Sequence, residues 1–171
     1  MRLSFALLVA AATVVCSACG SSTETHCSDP SCGWTSLTFQ TPGNTWASGT
    51  YALTLTSTSE VPVIDRPLSA TCTIQAAAQA TSAIAGTCDS LTPVSVSFLP
   101  IYGPCASAPC GPLPGQFALV ATLDGMPDHL DVALTTNGAT TRMDIAPPVS
   151  RGMSNCGVCA NAAASIRLTG I

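Results

Sequence analysis

The stretch that decides the fold is "HLDVALTTNGATTRMDIAPP", residues 129–148. Asn137-Gly138 separates two alternating runs and is a strong signal for a two-residue β-hairpin loop, because a type I′ turn needs positive φ at both central positions. Taking these two residues as the loop fixes the strand register. The predicted facing pairs are Leu134–Thr141, Val132–Met143 and Leu130–Ile145.

This register separates apolar from charged side chains. The apolar partners fall on one face of the hairpin, and Asp131, Arg142 and Asp144 fall on the other. A shift of one residue would move every side chain to the opposite face, so turn chemistry and hydrophobic pattern support the same register. The sequence predicts an antiparallel hairpin with one buried and one polar face.

The same alternation recurs outward from the hairpin, in short runs separated by Gly, Pro and Asn. No stretch of ten residues shows helical periodicity, and the alanine runs at 76–80 and 162–164 are the only places left for a helical turn. Eight or nine short strands predict an all-β domain of two packed antiparallel sheets. The runs and their expected inward residues are GTYALTLTS (Tyr51, Leu53, Leu55), VSVSFLP (Val94, Val96, Phe98), FALVATLDG (Phe117, Leu119, Ala121, Leu123) and SIRLTG (Ile166, Leu168).

The composition of the 171 residues fits one domain with a core and excludes one class of partner. Charged residues make up 8% of the chain, lysine is absent, and the net charge is -4. Nucleic acid is therefore not an expected ligand, because the basic patch that its phosphates require is missing. At 47% apolar residues the chain has enough hydrophobic surface to fold, unlike a disordered protein of low hydrophobicity.

Residues 1–18 have the features of a secretion signal. Arg2 precedes an apolar run from Leu3 to Val15. That run is shorter than the stretch of roughly 20 residues that spans a bilayer. Ser17-Ala18-Cys19 resembles the lipobox of bacterial lipoproteins, although Cys16 stands where a leucine is usual. That resemblance implies that Cys19 is lipidated and becomes the mature N-terminus. The alternative is ordinary signal-peptidase cleavage after Ala18, which would give a soluble product.

Export implies an oxidising compartment, in which cysteine pairs persist as disulfides. Removing Cys16 with the signal and assigning Cys19 to lipid leaves an even number of cysteines, and eight allow 105 connectivities. Their spacing favours pairs between neighbours in sequence. The predicted disulfides are Cys27–Cys32, Cys72–Cys88, Cys105–Cys110 and Cys156–Cys159.

Geometry adds support for the Cys72–Cys88 pair. The runs "SATCTIQA" and "SAIAGTCD" read as strands, and a hairpin turning near Gln79-Ala80 would place the two cysteines opposite each other. Directly opposed residues have β-carbons roughly 4.5–5.5 Å apart, close to disulfide reach.

"NCGVC", residues 155–159, allows three interpretations. A CxxC pair is redox-active where it opens a helix in a thioredoxin-like fold, but no βαβ pattern surrounds this one. A metal site would need a second cysteine or histidine pair at finger-like spacing, and the only histidines are His26 and His129. A structural disulfide between Cys156 and Cys159 is the favoured interpretation.

Other motifs for catalysis or binding are weak. His129 lies beside Asp128 and near Asp131, so a His–Asp base is a hypothesis, but no Gly-x-Ser-x-Gly nucleophile motif occurs. A second hypothesis is that a calcium ion binds to Asp124, Asp128 and Asp131, although their spacing lacks the EF-hand pattern. The Pro/Gly-rich stretch 101–115 predicts a constrained loop, which serves either for binding or as a stapled connection between sheets. No cofactor or metal is expected.

Taken in order, the lipobox-like Cys19, "GTYALTLT", the cysteine-bridged hairpin, the Asn-Gly hairpin and "NCGVCANAAASIRL" resemble small secreted lipoproteins common in myxobacteria and their relatives. The resemblance implies an immunoglobulin-like β-sandwich and an envelope location, and it supplies no catalytic residues to carry over. The sequence as a whole predicts a signal peptide (1–18), a lipid-anchored tether and disulfide-pinned leader (19–34) and a sandwich domain (35–171).

The favoured function is that of a non-enzymatic envelope protein, structural or binding a protein or carbohydrate. It would be held by lipid at the outer membrane or surface of a Gram-negative cell, with the periplasm as the alternative location. The alternative function is a periplasmic thiol–disulfide protein that uses Cys156 and Cys159.

Overall fold

The computed structural model describes residues 32–61, 66–77, 80–103, 111–154 and 157–169. One short 3₁₀ turn, η1 (Pro42–Asn44), occurs in this part of the chain; the other elements are strands. They are β1 (Trp34–Gln40), β2 (Gly49–Val61), β3 (Arg66–Ala76), β4 (Ile84–Ala85), β5 (Thr87–Ser90), β6 (Val94–Tyr102), β7 (Pro112–Asp124), β8 (Leu130–Thr136), β9 (Ala139–Ile145), β10 (Val149–Ser154) and β11 (Gly157–Arg167).

The strands form two sheets, which confirms the predicted all-β sandwich. The first sheet has the order β10-β11-β1-β7-β6-β4, and the second has the order β5-β3-β2-β8-β9. The chain passes from the first sheet to the second between β1 and β2 and again between β7 and β8, while β1 pairs with β7 and β2 pairs with β8. The central B, C, E and F strands of an immunoglobulin-like sandwich have the same neighbour relations.

One strand pair inside the first sheet departs from the predicted antiparallel arrangement. β11 runs parallel to β1, with Thr35 opposite Ala162 and Gln40 opposite Arg167. Parallel neighbours need a long connection, and here almost the whole domain lies between the two strands. The pairing leaves the start of β1 and the start of β11 at one end of the sandwich, which is called the entry end below.

The core lies between the sheets and is built from the alternating runs expected from the sequence. Over residues 51–57 of β2 the burial alternates, and Tyr51, Leu53 and Leu55 are buried. Val94 and Ile166 are partly buried against the same core. The remaining expected inward residues are buried as predicted: Val96, Phe98, Phe117, Leu119, Ala121, Leu123 and Leu168.

An aromatic cluster closes the core at the end opposite the entry end. The Trp46 ring meets the rings of Tyr51 and Phe98 edge to face, with centroids 5.3 Å and 5.0 Å away. Its indole Nε1–H donates a hydrogen bond of 2.8 Å to the backbone oxygen of Phe117. A buried tryptophan normally has such a partner, because an unpaired N–H in an apolar core is costly.

The Asn137-Gly138 hairpin forms as predicted between β8 and β9. Both loop residues have positive φ, 49° for Asn137 and 81° for Gly138. All three predicted facing pairs are present in the register of the two strands. Turn chemistry and hydrophobic pattern therefore determined this part of the fold locally.

Gly86 splits a run that the sequence analysis treated as one strand. Residues 84–85 pair with β6 in the first sheet, whereas residues 87–90 pair with β3 in the second. A Cβ at Gly86 would lie 2.6 Å from the backbone oxygen of Thr73 and 2.6 Å from a methyl group of Val96. The chain can cross between the sheets here because the residue has no side chain.

Three other expectations were wrong. The described part of the chain forms eleven strands instead of eight or nine. The alanines at 162–164 lie in β11 and pair with β1, since alanine's helical preference yields to that tertiary context. The stretch 101–115 is only partly a loop, because Tyr102 at the end of β6 pairs with Pro112 at the start of β7.

Candidate functional site

The disulfide at the entry end differs from the one predicted. Cys32 is bonded to Cys159, with a Cα–Cα distance of 5.3 Å and a sequence separation of 127 residues. The predicted pairs Cys27–Cys32 and Cys156–Cys159 were therefore wrong. Cys159 lies on β11, the parallel neighbour of β1, so this parallel pairing brings it beside Cys32. No local spacing rule indicates such a long-range contact.

The Cys72–Cys88 disulfide is confirmed. The two cysteines are directly opposed in the pairing of β3 with β5, and Cys72 is fully buried. The predicted simple hairpin does not form, because β4 lies between β3 and β5 in the chain. The two cysteines still lie opposite each other, because residues 87–90 pair with β3.

Several predicted site residues lie outside the described residues. They are Cys19, Cys27, Cys105, Cys110 and Cys156. The lipidation of Cys19 and the Cys105–Cys110 pairing therefore stay predictions. The redox hypothesis needs a reversible bond between Cys156 and Cys159, whereas Cys159 is bonded to Cys32.

The polar face of the β8–β9 hairpin brings carboxylate, guanidinium and hydroxyl groups together in one depression. A shallow depression of about 520 Å³ lies on the outer face of the second sheet. Its lining residues are Thr54, Thr56, Asp131, Val132, Ala133, Arg142, Met143 and Asp144. This set is called the polar cradle below, and its outward charged side chains are the three that the sequence analysis assigned to the polar face.

Charges within the polar cradle are only partly matched. Asp131 and Asp144 are directly opposed on β8 and β9, and like charges directly opposed destabilise a sheet. The Nδ1 of His129 lies 3.5 Å from an Asp144 carboxylate oxygen, the one contact at ion-pair distance among the described side chains, and it is an ion pair only when the imidazole is protonated. Arg142 lies opposite Ala133 and is exposed.

The carboxylate beside His129 is not the one that the hypothesis of a His–Asp base assumed. The carboxylate beside His129 belongs to Asp144 and not to Asp128 or Asp131. The His129 side chain is 66% exposed and that of Asp144 is 69% exposed. An exposed pair is solvated and screened, so it is suited to binding a polar ligand more than to removing a proton within a water-excluded site.

The calcium hypothesis is not supported by the positions of its three carboxylates. Asp124 ends β7 in the first sheet, opposite Trp34, whereas Asp131 lies on the outer face of the second sheet. Across the described residues, no group of three metal-ligating side chains lies close enough to hold an ion.

Hydroxyl groups extend the polar cradle across the rest of this outer face. Thr54 faces Thr71, and Thr71 in turn faces Asp89 at the far edge of the sheet. The nearby Gln75 side chain donates a 2.7 Å hydrogen bond to the Thr50 hydroxyl, and the hydroxyl oxygens of Thr135 and Thr140 are 2.9 Å apart. The face therefore presents many donors and acceptors with few charges.

Comparison with known protein families, characterised proteins and solved structures finds no match to this chain. The resemblance to secreted myxobacterial lipoproteins therefore stays a prediction from the sequence.

Proposed function

We propose that the protein is an exported, lipid-anchored β-sandwich of the bacterial cell envelope, which acts as a structural or binding module without catalysis. The observation that carries the proposal is the Cys32–Cys159 disulfide. It joins Cys32, which lies in the predicted leader just before β1, to β11, the last strand of the described residues. The two disulfides of the described residues are compatible with an oxidising, exported location.

The position of the Cys32–Cys159 bond suits a tethered domain. Because of the disulfide, a force applied to the chain before Trp34 acts on β11 as well as on β1. β1 therefore cannot separate from the sheet by itself. Gly33 adds a backbone hydrogen bond of 2.9 Å to the oxygen of Ala160 on the same strand. A covalent link at the entry end is therefore useful to a protein held by its N-terminal segment.

The polar cradle supports binding as the activity. Its threonines, two carboxylates and one guanidinium offer hydrogen bonds to an envelope protein or carbohydrate. It lies on the side of the sandwich, so an anchor at the entry end leaves it accessible. No helix of the described residues is long and apolar enough to cross a membrane, and the proposed attachment is through Cys19.

Fractionation of a Gram-negative host that expresses the full sequence tests the anchor. We expect the protein in the membrane fraction, with an intact mass that reports acylated Cys19 and removal of residues 1–18. The variant Cys19→Ala should leave that fraction. A native mass that begins at Cys19 without lipid would replace the anchor by simple secretion, and a cytosolic protein that retains residues 1–18 would overturn the whole proposal.

Cosedimentation with purified cell-wall carbohydrate tests the polar cradle. We expect Asp131→Asn to reduce binding. The matched control is Asp89→Asn, since Asp89 is also an exposed carboxylate on the outer face of the second sheet but lies at the opposite edge. Equal binding by both variants and the native protein would exclude the polar cradle as the carbohydrate site.

A further inference from the structure

We propose that the β9 edge of the second sheet pairs with β9 of a second copy of this chain, antiparallel and centred on Met143. β9 is the outermost strand of its sheet and the longest edge strand in the described residues, with seven residues. The other edges, β4, β5 and β10, have two, four and six residues. An extended edge of this length presents a row of backbone groups for another strand.

The hairpin loop determines which backbone groups face outward. In a two-residue loop the flanking residues, here Thr136 and Ala139, form a hydrogen-bonded pair, and hydrogen-bonded pairs then alternate along the strands. Ala139, Thr141, Met143 and Ile145 therefore direct their backbone groups to β8. The N–H and C=O groups of Thr140, Arg142 and Asp144 point away from β8, toward the open edge.

The charges on β9 select one antiparallel register for a second copy. Only even-numbered residues can form hydrogen-bonded pairs across this edge. Three registers then centre the pairing on the charged part of β9, at Arg142, at Asp144 or at Met143 between them. One places Arg142 opposite Arg142, and another places Asp144 opposite Asp144. The third places Arg142 opposite Asp144 of the second copy twice, once on each side of a two-fold axis, and is self-complementary as a two-fold dimer requires.

The same register resolves the unmatched charge in the polar cradle. Asp144 directly opposes Asp131 within the chain, and among the described side chains only the exposed His129, which is charged only when protonated, lies within ion-pair distance of it. Pairing brings Arg142 of the second copy to the free side of Asp144. An opposite-charge pair in this position is favourable, whereas like charges are unfavourable.

The inward face of β9 is also compatible with pairing. Met143 and Ile145 are partly buried against the core and keep part of their apolar surface exposed. In the proposed register Met143 faces Met143 of the second copy, and Thr141 faces Ile145. The dimer would thus continue both the polar and the apolar face of the second sheet.

The contact is small, so the dimer should be weak in solution. A single strand pair buries less than the roughly 1,600 Å² of a standard interface, so we expect the dimer to form only at high protein concentration. A shared membrane would raise the local concentration, but the inference does not depend on the lipid anchor, and the fractionation of Cys19 variants is independent of it.

A charge swap measured by sedimentation equilibrium tests the proposal. We expect the purified exported protein to dimerise as its concentration rises toward about 1 mM. Asp144→Arg should weaken dimerisation about tenfold or more, because both opposite-charge pairs become Arg–Arg pairs. Adding Arg142→Asp to that variant restores two opposite-charge pairs and should restore the native dissociation constant.

The matched control is Asp89→Arg, which changes the net charge equally on the same face but at the β5 edge. Thermal unfolding of each variant checks the fold. A monomer throughout the concentration range would overturn the proposal. It would also be overturned if the double variant failed to recover dimerisation while folded, or if Asp89→Arg weakened the dimer as much as Asp144→Arg.

Discussion

Removing the Cys32–Cys159 disulfide should cost more stability than removing the local Cys72–Cys88 bridge. The paired substitution Cys32→Ala with Cys159→Ala leaves no new odd thiol. The two bridges span sequence separations of 127 and 16, respectively. In the chain-entropy model the stabilisation grows with the logarithm of the closed loop, which gives about 5 kcal/mol in the free energy of unfolding for the longer loop and about 3 kcal/mol for the shorter one.

Urea unfolding followed by tryptophan fluorescence provides the measurement. With a denaturant slope of about 2 kcal/mol per molar, the midpoint should fall by about 2.5 M without Cys32–Cys159 and by about 1.5 M without Cys72–Cys88. The second paired variant, Cys72→Ala with Cys88→Ala, is the control for lost sulfur packing. Because small domains have only about 5–15 kcal/mol of stability, the first variant should be close to unfolding.

The order of the two effects decides whether the reasoning holds. Cys72 is more deeply buried than Cys159, so loss of packing alone would make the Cys72–Cys88 variant the less stable one. If the Cys32–Cys159 variant proves as stable as the native protein, or more stable than the Cys72–Cys88 variant, then loop closure does not account for the role of the entry-end disulfide.

Three further substitutions test the fold. Gly86→Ala should lower the free energy of unfolding by about 1–3 kcal/mol, because its Cβ would meet the backbone between the sheets. Its control is Gly111→Ala, where an added Cβ meets nothing within 4 Å. In the same urea titration this control should change the free energy of unfolding by about 0.5 kcal/mol or less. Trp46→Phe should cost about 1–3 kcal/mol, since it removes the buried hydrogen bond to the Phe117 oxygen, and an unchanged melting temperature would contradict that account. Gly138 has a φ of 81° in the turn. Gly138→Val should therefore cost about 1 kcal/mol or more, and a native-like midpoint would show that the turn tolerates a branched side chain.

Much of the second sheet could be predicted because its determinants are local. Asn137-Gly138 fixes the loop, the loop fixes the register, and the register places Asp131, Arg142 and Asp144 together on the outer face. The polar cradle was therefore implicit in a single continuous stretch, residues 129–148. Thr54 and Thr56 also line the polar cradle. They lie there because β2 pairs with β8, and no turn connects these two strands.

Where prediction failed, the deciding contact was distant in sequence or depended on space between the sheets. The run 82–89 alternates as one strand, and only the close approach of Thr73 and Val96 shows why the chain changes sheets at Gly86. The cysteine pairing failed for a similar reason. Spacing favours Cys156 as the partner of Cys159, but β11 lies parallel to β1 and presents Cys159 to Cys32.

The sequence by itself determined that this chain is an all-β domain, which residues face inward, and how the β8–β9 hairpin is registered. These properties follow from side-chain alternation and turn conformation, which act over a few neighbouring residues. Only the tertiary structure decided the parallel β1–β11 pairing, the crossing at Gly86 and the Cys32–Cys159 bond. Those depend on which strands become neighbours, and that choice is made by burying one shared core.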